Sequence, residues 1–95
     1  MNKYEKALKI IYSWREQTAL ITFCDFGTPM LTLGSVREFY NRFDKTLYWE
    51  ARVPMIGGES ASIGFFATKK KAKAAIIKHL AEEIANAVEG AYYDT

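Results

Sequence analysis

Cysteine is almost missing from this chain, proline is scarce, and no long apolar run interrupts its 95 residues. Each shortage excludes something. Cys24 is the only cysteine, so no internal disulfide forms and a reducing compartment is the simpler expectation. The single histidine, His79, has no second soft ligand at metal-binding spacing. No partner motif stands beside it to make Cys24 a nucleophile. The apolar stretches fall short of the roughly 20 residues of a membrane span, and the N-terminal segment lacks the apolar region of a signal peptide. A soluble, intracellular protein with no membrane contact is expected. Acid/base pairs, metal clusters and phosphate-binding loops are missing too, which predicts a non-enzyme without cofactor or metal.

What is present is globular: 49% hydrophobic and 25% charged residues, with no repeat, low-complexity tract or linker. The expectation is one domain over residues 1–90 and a short tail over 91–95. Aromatics reach 15%, enough for some to lie on a contact surface. The net charge is only +2, yet Lys69, Lys70, Lys71 and Lys73 hold over a quarter of the 13 basic residues. A basic pole on a near-neutral body gives a local field that the total conceals.

Hydrophobic spacing predicts a helix near 3–17, with Tyr4, Ala7, Leu8, Ile11 and Trp14 on one side and Asn2 as its N-cap. A first strand follows, either in "LITFCDF" or in "MLTLGSVREF", separated by the Gly27-Thr28-Pro29 break. "TLYWEARVPM" alternates Leu47, Trp49, Ala51 and Val53 with Tyr48, Glu50 and Arg52, a half-buried strand that Pro54 ends. Gly57-Gly58 turns the chain into the returning strand "SASIGFFAT". Thr68 then caps a long helix near 68–89. Its stripe is Ile76, Ile77, Leu80, Ile84 and Val88, and Gly90 is placed to stop it. The fold class is α+β, with two helices on one face of a three-stranded antiparallel sheet.

The lysines stand at the unfavourable end of that helix, because the macrodipole favours anions at an N-terminus. At about 100° per residue, Lys69, Lys70 and Lys73 share an arc of roughly one third of the helix, while Lys71 points elsewhere. The arc overlaps the apolar stripe, so the first turn is expected to overhang the sheet edge while later turns pack on it. A phosphate held by these ammonium groups and the free first-turn N–H groups would remove the conflict. The plain alternative is a solvated helix face. Trp14 and Trp49 read as core, and His79 as a residue at the helix–sheet boundary.

The run Thr68-Lys69-Lys70-Lys71-Ala72-Lys73-Ala74-Ala75, after the "YWEARV" strand, the Gly57-Gly58 turn and Gly64, resembles the double-stranded RNA-binding domain (dsRBD) family. The likeness covers residues 46–86. It implies an α-β-β-β-α fold and recognition of A-form duplex by shape and phosphate contact, with double-stranded RNA as partner. Carried over by position, Lys69, Lys70 and Lys73 grip phosphates beside Thr68. Ser13 falls at the RNA-facing place in the first helix, and Arg42 and Lys45 lie in "NRFDKT", where the family carries a contact loop. That loop's Gly-Pro-x-His pattern is missing. The same fold serves some proteins as a docking module, so a homodimer or protein contact through Tyr40 and Phe43 is the alternative.

Overall fold

The computed structural model describes residues 3–26, 31–55 and 57–93. It is α+β, with helix α1 (Lys3–Ile11), strands β1 (Tyr12–Thr18), β2 (Ile21–Phe26), β3 (Leu31–Asn41), β4 (Thr46–Pro54) and β5 (Ser60–Phe66), and helix α2 (Lys69–Tyr93). The strands form one antiparallel meander in the order β1-β2-β3-β4-β5. The sheet therefore has five strands where the sequence predicts three.

The two extra strands come from one misread segment and one unresolved choice. Residues 12–17 were expected to continue the first helix, but Trp14 and Tyr12 are also two apart. That spacing serves a strand equally well. Pairing decides: Tyr12 lies opposite Phe26 and Trp14 opposite Cys24, so non-local partners override the helical series. The two candidate first strands are both strands, β2 and β3. Asn2 and the Gly27-Thr28-Pro29 break lie outside the described residues.

Both helices contribute to one core. Leu8 of α1 joins Cys24, Val36, Ala51, Ala72, Ile76, Ile77 and Ala81 in one buried core, with Trp14, Trp49, Phe66 and Leu80 packed around it. The overhang is reversed from the expectation. Ala72 and Ile76 in the early turns are fully buried, whereas Ile84 and Val88 are exposed. The helix continues through Gly90 to Tyr93. At about 1.5 Å per residue it outruns a seven-residue strand by more than 10 Å, so its late turns pass the sheet.

On the opposite sheet face, Arg15 Nε donates to Asp25 Oδ2 at 2.6 Å and stacks on Phe23, while Thr32 also donates to Asp25. These bonds satisfy a carboxylate that is only 1% exposed, and the Arg15 hydrogen bond draws its pKa below the usual range. Beyond Arg37 and Trp49 the β3–β4 pair has no neighbouring strand and projects as a two-stranded arm. Asp44 pins its turn, accepting from the Thr46 amide and the Tyr48 hydroxyl.

Helix α2 lies close on β3. A Cβ on Gly34 would stand 3.0 Å from Ile76 Cγ2 and 3.1 Å from the Arg52 carbonyl oxygen. Ile76 is fully buried and the other neighbour is backbone, so neither gives way easily. Gly34→Ala is expected to destabilise the fold by about 1–3 kcal/mol, read as a lower denaturant midpoint at unchanged slope. A midpoint equal to that of the parent chain would show that the helix lifts without cost.

Candidate nucleic-acid interface

The start of α2 is fixed by Thr68. Its Oγ1 accepts from the Lys71 amide and its carbonyl accepts from Ala72, each at 3.1 Å. This is N-cap geometry. The hydroxyl that the resemblance offers to RNA already serves the helix.

From that cap the lysines diverge. Lys69 Nζ donates to Glu16 Oε1 at 2.8 Å and lies 5.7 Å from the centre of the Trp49 ring. Lys73 Nζ lies over Trp14 at 5.0 Å. Lys70 and Lys73 line a groove with Tyr12 and Trp14 of β1, Glu5 of α1, and Ala74, Ile77 and Lys78 of α2; its volume is about 500 Å³. Lys71 is exposed and makes none of these contacts. Lys71 thus stands apart, but Lys69 also parts from Lys70 and Lys73, bound to Glu16 while they line the groove. The two tryptophans pack on the core as expected, but each also carries a lysine ammonium over its ring.

Ser13 is placed differently from the expectation. Trp14 and Glu16 face α2, and side chains alternate along a strand, so exposed Ser13 belongs to the other sheet face, opposite Asp25. It is not beside the lysines. The cause is the strand at 12–18, which replaces the helical turn on which Ser13 was to face RNA.

Arg42 and Lys45 occupy the tip of the arm, both exposed. Lys45 adopts a left-handed backbone, φ 56°, and Asn41 Oδ1 accepts from the Phe43 amide to close the turn. The tip lies at the same end of the sheet as the α2 N-terminus: Trp49, beneath Lys69, is three residues along β4 from Thr46, about 10 Å. The five expected basic contacts therefore lie toward one end of the molecule; of the two expected hydroxyls, Thr68 caps the helix there and Ser13 is on the other sheet face.

Sequence reasoning missed Glu16, Tyr12 and Lys78. Lys78 lies at i+8 from Lys70 on the same helical face, a signal available from spacing alone. Glu16 had no such signal, because its contact with Lys69 spans 53 positions.

His79 pairs with Glu83 at 3.1 Å along the helix, beside Ile63 and Phe66. Burial pushes the Cys24 thiol up to about 12, so it stays protonated at neutral pH and is no nucleophile. Among the described residues, no group of three acidic, cysteine or histidine side chains is placed to hold a metal. Among the described residues, no helix is long and apolar enough to cross a membrane. Comparison with family models, curated proteins and solved structures finds no match to this chain.

The Glu16 carboxyl is held below the usual range, first by the Lys69 hydrogen bond, then by the Lys69 charge, with a smaller pull from Lys73. A lowered carboxylate pKa means that the pair persists above the ordinary titration range and opens only as pH falls below it. Carbon-detected titration of Glu16 should show that low midpoint. Lys69→Ala should return it most of the way, and Lys73→Ala only slightly. An ordinary Glu16 midpoint in the parent chain would rule the pair out in solution.

Proposed function

We propose that this chain is a non-enzymatic module that binds double-stranded RNA through phosphate contacts at the end of the sheet where α2 begins. One observation carries the reading: Lys69, Lys70 and Lys73 at the helix start and Arg42 and Lys45 at the arm tip flank the same end, some strand residues apart. A duplex presents phosphates on both sides of a groove, so binding needs two separated cationic elements held rigidly. The α2 start is rigid because its cap and its core contacts are both satisfied. The arm is held by its strand pairing and by Asp44.

Support also comes from the chain order. Strands β3, β4 and β5 are consecutive, antiparallel and crossed on one face by α2, the arrangement that the resemblance implies for the strands before the lysine helix. Fold likeness alone is a weak warrant for function, so the charges carry more weight. Lys69 enters with a handicap, since Glu16 competes with phosphate for it. Lys70 and Lys73 are the stronger contacts.

Titration with a duplex RNA of about 16 base pairs at two salt concentrations tests this. Lys70→Ala and Lys73→Ala should each reduce the salt slope by about one unit, and Lys69→Ala by less. Lys71→Ala should change binding little. B-form DNA of the same sequence should bind more weakly. Equal losses at all four lysines, or equal affinity for RNA and DNA, would reduce the interaction to diffuse charge attraction.

A second reading, contact with another copy of this chain, is favoured by the arm. Phe43 is fully exposed, and Tyr40, Phe39 and Leu47 stand more than two-fifths exposed beside it. Clustered apolar exposure marks interaction surfaces. Light scattering should then show concentration-dependent association that Tyr40→Ala with Phe43→Ala abolishes. A monomer at high concentration would exclude the homodimer.

A further inference from the structure

The groove beside the lysines holds more chemistry than phosphate binding requires. Its wall on α2 is the stripe Lys70, Lys73, Ala74, Ile77 and Lys78, and its floor is Tyr12 and Trp14. The two rings meet edge to face, 5.6 Å apart and 79° between planes. A concave space of about 500 Å³ lies within the range of small-ligand sites, which are mostly apolar with a few convergent polar groups. Three lysines and one carboxylate, Glu5, leave it cationic.

We infer that this groove binds one unpaired nucleotide, its base on the Trp14 ring face with Tyr12 at its edge and its phosphate between Lys70 and Lys78. The inference deepens the RNA-binding reading and rests on it for the strand that supplies the nucleotide. Aromatic rings accept any base by stacking, and neighbouring cations hold the backbone. Paired bases within a duplex have both faces covered, so the groove suits a nucleotide at an overhanging end. Lys73 marks the accessible face of Trp14, because its ammonium already sits there. A phosphate draws that ammonium aside and a base takes the ring face.

Lys69 belongs to a different contact, bound to Glu16 over Trp49. The chain has two tryptophans, so their indole N–H resonances report the groove and the Lys69 contact separately in the unaltered protein.

The probes are adenosine 5′-monophosphate, ribose 5-phosphate, a blunt 16-base-pair RNA duplex, and the same duplex with one overhanging 3′ nucleotide. The adenosine phosphate should shift the Trp14 indole signal saturably and leave Trp49 nearly still. Ribose 5-phosphate, lacking the base, should shift Trp14 much less, since it moves the Lys73 ammonium without covering the ring. The overhang should raise duplex affinity about fivefold or more, the scale of one stacked base. Lys78→Ala should weaken the nucleotide several-fold, and Lys71→Ala should not. Binding of both duplexes with equal affinity, without a Trp14 shift, overturns the nucleotide site and leaves the RNA reading intact. A saturable Trp14 shift with the free nucleotide and no binding of either duplex overturns the RNA reading and leaves a free-nucleotide site. Equal weakening by Lys78→Ala and Lys71→Ala overturns the site in favour of general charge attraction.

Discussion

Ile76 rests on Gly34 at the limit of close approach, and the geometry of the lysines follows from that contact. Several residues of the same core are small: Ala51 on the sheet, Ala72 and Ala81 on the helix. Small residues let helix and sheet backbones come near, so the longer side chains of the early helical turns reach β1 and β4. Close seating puts the Lys69 ammonium on Glu16 and near Trp49, and that of Lys73 on Trp14. Core packing and surface electrostatics are here one constraint.

The same seating changes the energetic problem posed by cations at a helix N-terminus. Each lysine there opposes the macrodipole by a few tenths of a kcal/mol. Glu16 compensates Lys69 from a neighbouring strand, and the tryptophan faces attract Lys69 and Lys73 weakly. Much of the conflict is thus relieved within the chain, without a bound anion. Lys70 shares its groove with the Glu5 carboxylate, and Lys71 is exposed on the outer side. The wrong-end placement is therefore weaker support for phosphate binding than the sequence alone implies, and the shared end with Arg42 and Lys45 is stronger support.

How much was legible divides by the range of the interactions involved. The β4–β5 hairpin, the Thr68 cap and the separation of Lys71 from its neighbours are local matters of alternation, turn chemistry and helical angle, and all three were readable. The β1 strand was not, because Trp14 fits a helical and a strand series equally and only pairing with Cys24 decides between them. Misplacing β1 moved Ser13 to the wrong face and hid Glu16. The reversed overhang of α2 has the same origin. A buried stripe says which side of a helix packs, but where the sheet ends beneath it depends on strands far away in sequence.

Strand β1 also changes what the lysines are. In a fold of three strands between two helices, the row at 70, 73 and 78 would be one face of an exposed helix, and its strength would scale with the number of phosphates met. Here Tyr12 and Trp14 stand across from that row and close it into a groove. Closure lowers the net charge that the helix start presents, because Glu16 and Glu5 arrive with the same elements. It also adds ring surface that distinguishes one flat, anionic group from another. Affinity in such a place depends less on salt and more on shape than it does at an open lysine cluster. The β1–β2 hairpin, which the lysine motif does not imply, is thus the part of the fold that separates the proposed interface from an open lysine cluster.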